Sequence, residues 1–77
     1  MKLEYDKNAD CVYILINDVK HHHTHELDEI RFIDYGENGV VQGIEFLFVE
    51  SGVDLNDLPY QAEIKELLEK NSIKTFL

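Results

Sequence analysis

The stretch Ile30-Arg31-Phe32-Ile33-Asp34-Tyr35-Gly36-Glu37-Asn38-Gly39-Val40-Val41-Gln42-Gly43-Ile44-Glu45-Phe46-Leu47-Phe48 reads as a β-hairpin and decides the fold. It holds most of the strong β-formers, and Asn38-Gly39 is the clearest turn signal in the chain. A two-residue loop would set Phe32 opposite Glu45 and Arg31 opposite Phe46, mixing polar and apolar groups on both faces. A three-residue loop, Glu37-Asn38-Gly39 closed by a left-handed glycine, pairs Phe32 with Ile44, Ile30 with Phe46 and Arg31 with Glu45. Register follows such matching, because a one-residue slip turns every side chain over. The expected register is therefore the second, with an Arg31–Glu45 ion pair and with Gly43 opposite Ile33 marking a close approach.

Working outward, Lys2–Tyr5 alternates and Asp6-Lys7-Asn8-Ala9-Asp10 reads as a turn whose short polar side chains bond the local backbone. Cys11–Ile16 is apolar on both faces, as in a central strand. These two segments form a first hairpin. The His21-His22-His23-Thr24-His25 run follows, and then Glu26–Glu29, either a loop or the start of a third strand. Beyond the central hairpin, Ile44, Phe46 and Phe48 are expected on one face and Val41, Leu47 and Val49 on the other. After the connector 51–58, Pro59 is expected in the first turn of a helix over 59–71, capped by Asp57 or Leu58 and stopped at Asn71. Tyr60, Ile64, Leu67 and Leu68 share one side of that helix. The tail 72–77 ends in Phe76-Leu77, which either tucks against the sheet or extends as a short strand.

The expected architecture is α+β: a four-stranded antiparallel meander of two hairpins over 1–50, with one C-terminal α-helix on one face. All 77 residues form a single domain. One helix covers one face only. The other keeps apolar side chains, and patches beyond a few hundred Å² rarely stay open on soluble proteins, so a homodimer or another partner is expected to cover them.

A net charge of −9, from 16 acidic against 7 basic residues, excludes direct nucleic-acid binding, which needs clustered Lys and Arg, and suits a basic protein partner. Cys11 is the only cysteine, so no intramolecular disulfide forms. No apolar run is long enough for a bilayer or a secretory signal, and a cytoplasmic location is expected.

His21, His23 and His25 would point to one side of an extended segment and are candidate metal ligands, with Glu26 or Asp28 nearby. The plainer reading is a solvated histidine-rich loop, since a polar loop supplies no fixed geometry. Cys11 reads as structural, and Asp6, Asp10 and Asp34 as turn-forming carboxylates. No nucleophile, oxyanion donor or glycine-rich phosphate loop accompanies them, so neither a cofactor nor an enzyme activity is expected.

The segments Tyr5-Asp6-Lys7-Asn8-Ala9-Asp10-Cys11-Val12-Tyr13-Ile14, Thr24-His25-Glu26-Leu27 and Ile33-Asp34 through Gly43-Ile44-Glu45 together resemble a small prokaryotic family called domain of unknown function 2283. The resemblance covers about the first fifty residues. Tyr35-Gly36 departs from it, where the family more often has a second acidic residue, and the histidine run is not a family feature. The resemblance implies a compact, mostly β protein without catalytic residues to carry over. It also implies that some members act as antitoxin-like partners of small toxin-like proteins. Asp6, Asp10, Asp34, Gly43 and Glu45 match its motif, in roles of turn and sheet geometry. The expected function is a non-enzymatic protein-interaction module, antitoxin-like, with a metal- or small-ligand-binding protein using His21–His25 as the alternative.

Overall fold

The computed structural model describes Met1–Leu77. Its strands are β1 (Lys2–Asp6), β2 (Cys11–Leu15), β3 (His23–Asp28), β4 (Arg31–Tyr35) and β5 (Val41–Leu47), in one antiparallel sheet of order β1-β2-β5-β4-β3. The sheet thus has five strands, not the expected four, and is not a simple meander. The added strand is β3, built from the histidine-rich stretch. His23, Thr24, His25 and Glu26 are all exposed, because β3 is an edge strand polar on both sides. Such a strand lacks the alternation that marks a half-buried one. Placing β5 beside β2 sends residues 16–22 across the end of the sheet. There the Gln42 carbonyl accepts the Ile16 and Asn17 N–H groups, and Asn17 Nδ2 donates to the Val41 carbonyl at 2.8 Å.

The central hairpin combines the two loop readings. Glu37–Gly39 is the expected three-residue loop: Gly36 N–H donates to the Val40 carbonyl, and Asn38 and Gly39 are both left-handed, with φ of 62° and 75°. Tyr35 pairs with Val41 as that loop requires. A β-bulge at Gln42 then slips the ladder by one, giving Asp34↔Gly43, Ile33↔Ile44, Phe32↔Glu45 and Arg31↔Phe46. The expected Phe32–Ile44 and Arg31–Glu45 pairs are therefore replaced by the rejected register. It does not waste a face, because Arg31 lies on the core side with its charge fully partnered.

Arg31 is 6% exposed. Its Nε and Nη2 each lie 2.7 Å from Asp28 Oδ2, and Nη1 donates to the Asp54 and Asn56 carbonyls at 2.9 and 2.6 Å. A buried guanidinium is tolerated only with partners of this kind. These bonds tie the sheet to β6 (Val53–Asp54), which pairs in parallel with β7 (Thr75–Phe76). The tail thus ends as a short strand.

The core lies on one side of the sheet. Val12, Ile14, Ile33, Ile44 and Phe46 meet Val49, Leu55, Ile64, Leu68 and Ile73 in a single buried cluster. Phe48 does not join Ile44 and Phe46 as expected. β5 stops at Leu47, and Phe48 turns left-handed (φ 54°), which leaves its ring 61% exposed and swings Val49 into the core.

The helix α1 (Gln61–Lys70) begins two residues after Pro59. Tyr60, left-handed at φ 55°, precedes it, and no side chain caps it, so neither Asp57 nor Leu58 plays the expected role. Ile64 and Leu68 are fully buried, worth about 1.5–3 kcal/mol each. Asn71 ends the helix as expected. Ser72, at φ 62°, closes a Schellman turn in which Ile73 N–H reaches the Leu68 carbonyl and Ser72 N–H reaches that of Glu69. The buried pair Leu68 and Ile73 is the apolar contact that accompanies this motif.

Candidate functional site

The face of the sheet away from α1 has no element of this chain over it. Pairing registers lay its residues out in rows. One row reads Glu4–Tyr13–Glu45–Phe32–Glu26 from β1 to β3, and the next reads Lys2–Leu15–Gly43–Asp34–Thr24. Cys11 and Leu47 pair directly beside them. Tyr13, Leu15, Phe32 and Leu47 are half-buried, whereas Glu4 and Glu26 are exposed at the two edges. The result is an apolar centre interleaved with carboxylates.

A polar network crosses these rows. Tyr13 Oη donates to Asp34 Oδ2 at 3.1 Å, and the Thr24 hydroxyl donates to Asp34 Oδ1. Because Thr24 spends its only proton there, the His21 Nε2 atom 2.9 Å from Thr24 Oγ1 is the donor in that contact. His21 Nε2 also stands 3.6 Å from Asp34 Oδ1. The Tyr13 and Thr24 hydroxyls thus converge on one carboxylate, and His21 donates to Thr24 behind them.

Gly43 makes this geometry possible. The Tyr13 side chain lies across it on the way from β2 to Asp34 on β4, and a Cβ at Gly43 would overlap the phenol and sit 2.6 Å from the Ile14 carbonyl. The close approach expected at Gly43 is present, but the bulge sets it opposite Asp34 rather than Ile33.

Burial, the Asp34 charge and the hydrogen bond to Asp34, with Glu45 and Glu4 adding to them, push the Tyr13 phenol up to about 12. Burial, then Asp6, Glu45 and Asp10, likewise pushes the Cys11 thiol up. Both groups stay protonated at neutral pH, so neither is an activated nucleophile or base.

Asp6 accepts the Ala9 N–H at 3.0 Å within the first turn. Asp10 accepts the Glu50 N–H at 2.9 Å, joining that turn to the end of β5. Asp10 thus bonds backbone 40 residues away rather than its own turn, and only Asp6 does the local backbone work read from the sequence. Asp34 does not, since it is the hub of the network. The sequence carries two signals of it: Thr24, in the segment Thr24-His25-Glu26-Leu27 that resembles the family, and Gly43, read as a point of close approach.

The three candidate metal ligands are placed apart. His21 serves the open-face network, whereas His23 and His25 pair with Tyr35 and Ile33 on the opposite side of the sheet. His23 stacks on Tyr35 at 5.1 Å between centroids, and its Nδ1 contacts that of His22 at 2.9 Å. No three His, Cys, Asp or Glu side chains form a group able to hold a metal ion. No helix is long and apolar enough to cross a membrane.

Among known proteins, the model of a family described as a protein of unknown function (DUF2283) matches residues 2–49. These residues are the five-stranded sheet, including every member of the network. No curated protein and no solved structure matches the chain.

Proposed function

The chain belongs to the DUF2283 family, and from that premise we propose that it is a non-enzymatic interaction module whose open sheet face docks a basic protein, in an antitoxin-like role. The observation that carries this reading is the composition of the face. Tyr13, Leu15, Phe32 and Leu47 supply contact area, Glu45 stands between Tyr13 and Phe32 on the central strand, and Glu4, Asp6 and Glu26 lie on the outer strands, with Lys2 the one cation in these rows. Half-buried aromatics interleaved with and flanked by mostly acidic side chains are the features of a specific docking surface for a basic partner. The −9 net charge adds long-range steering toward such a partner. The raised Tyr13 and Cys11 values support the non-enzymatic part, because neither side chain is a poised base or nucleophile.

A second copy, the homodimer expected from the sequence, is the other possible cover. In a two-fold contact through this face the carboxylates would meet carboxylates, and like charges brought together oppose association. Charge complementarity therefore favours the basic partner.

The test is native mass spectrometry of the untagged protein taken from its own cells, alongside Phe32→Glu on the open face and Glu63→Lys on α1. The expected result is a stoichiometric complex with a basic protein, lost with Phe32→Glu and kept with Glu63→Lys. Retention of the complex by Phe32→Glu, or a homodimer alone, would overturn the reading. For the antitoxin-like role, the partner expressed alone should arrest growth and co-expression should restore it; unaffected growth refutes that role.

A further inference from the structure

The geometry points to an α-helix as the segment that docks here, laid across the strands with basic side chains seven residues apart. This inference rests on the docking face proposed above and names what the face recognises. Three facts carry it: the alternation within one row, the strand order, and a depression on the surface.

Along the row Glu4–Tyr13–Glu45–Phe32–Glu26, acids and rings alternate strand by strand. Strands lie about 4.8 Å apart, so successive carboxylates recur every two strands, roughly 10 Å. An extended partner segment presents same-side residues about 6.8 Å apart, or double that, and matches neither interval. A helix rises about 1.5 Å per residue and returns to the same side after two turns, so residues seven apart stand about 10.5 Å from each other. Those positions meet Glu4, Glu45 and Glu26. Residues three or four along from each basic position fall about 5 Å further on, over Phe32 and over the base of Tyr13, whose ring leans across Gly43, and an apolar side chain belongs at both places.

The depression lies at the β1–β2–β5 end, walled by Glu4, Asp6, Cys11, Tyr13 and Glu45. Three carboxylates around a neutral phenol and thiol suit a guanidinium, which pairs with carboxylates in plane and stacks on an aromatic ring. Arginine, rather than lysine, is therefore the residue expected at the helix position over this depression.

The experiment titrates the full-length protein with a synthetic seventeen-residue helical peptide, using calorimetry at low ionic strength. The peptide carries arginine at its first, eighth and fifteenth positions and leucine at its fourth and eleventh. A control of the same composition has its arginines five residues apart. The expected result is binding of the patterned peptide at least tenfold tighter than the control. Glu45→Gln should remove that advantage, while Glu63→Gln, an equal change of charge on α1, should leave it intact. Circular dichroism confirms that both variants are folded. Equal affinity for the two peptides, with both weakened by Phe32→Glu, would overturn the helical spacing and leave the docking face standing. Affinities untouched by Phe32→Glu, or no binding of either peptide, would overturn the helical site and count against the docking face as well.

Discussion

The two faces of the sheet are built from the same five strands yet solve opposite problems. On the closed face one charge, Arg31, is buried among Ile33, Ile44 and Phe46 and is satisfied by two acids and two carbonyls from the connector. On the open face one charge, Asp34, is half-buried among Tyr13, Phe32 and Gly43 and accepts the hydroxyls of Tyr13 and Thr24, with the His21 imidazole donating to Thr24 beside them. The first arrangement locks the chain end onto the sheet and so acts on stability. The second orders side chains on a surface that nothing in the chain covers, the face proposed above to dock a partner. Satisfaction of a buried polar group is common to both; only the partner elements differ.

The comparison breaks most sharply at Arg31. Arg31→Ala leaves Asp28 and the Asp54 and Asn56 carbonyls without their donor and should cost about 3–5 kcal/mol, the range for breaking a buried pair. Urea denaturation measures it, and a loss below about 1 kcal/mol would show that the closed face does not depend on the clamp.

Gly43→Ala is the matching insult to the open face. Its methyl group meets the Tyr13 phenol and the Ile14 carbonyl, and the expected cost is about 1–3 kcal/mol, as for overpacking. Tyr13→Ala in the same chain should recover part of that loss. Full additivity of the two changes would mean that the glycine is not there for the tyrosine.

Tyr13→Phe removes only the hydroxyl and should cost about 0.5–1.5 kcal/mol. The titration of this phenol sharpens the same point. Its folded value, about 12, lies above its ordinary 10.0, so its contribution is complete below pH 10 and is lost as pH rises toward 12. Ultraviolet titration of wild type against Tyr13→Phe isolates it. A phenol at position 13 that ionises near pH 10 would show the Asp34 contact to be absent in solution.

The smallest expected effect belongs to the acids of the clamp. Burial pushes Asp28 up, but hydrogen bonds from Arg31 and the Ile30 N–H, with the Arg31 charge, outweigh it and leave the carboxyl below the usual 3.8. Asp54 is held low by the Asn56 backbone and side-chain N–H groups and, less strongly, by Arg31. Depressed values mean stability that is present above the ordinary carboxylate range and lost as pH falls through the folded value. Between pH 5 and 2, Asp28→Asn should therefore show a shallower loss of stability than wild type in denaturant titrations. Parallel curves would remove Asp28 from the acid transition.

Much of this was legible from residues alone. The β-formers of Cys11–Ile16 and Val41–Leu47, apolar on both faces, the loop Glu37–Gly39 and the stop at Asn71 all rest on local chemistry, which a sequence states directly. β3 was hidden because an edge strand with histidines and acids on both sides carries no periodic signal. The helix start was misplaced because Pro59 fits a first helical turn, yet the chain spends it in the turn that ends at Tyr60.

By itself, then, the sequence determined the α+β class, the paired hairpins, the family and the core-facing side of the helix at Ile64, Leu67 and Leu68 (though not the exposed Tyr60 before it), because propensity, turn chemistry and periodicity act within a few residues of one another. Only the tertiary structure decided the register, the partners of Arg31 and the convergence on Asp34. A single bulge at Gln42, whose carbonyl accepts the Ile16 and Asn17 N–H groups from far away in the chain, shifts the pairing of β4 from Asp34 back to Arg31 by one residue. That shift sends Arg31 to the core and sets Asp34 beside Gly43, within reach of Tyr13. Long-range hydrogen bonds chose between two registers that local patterning ranked the other way.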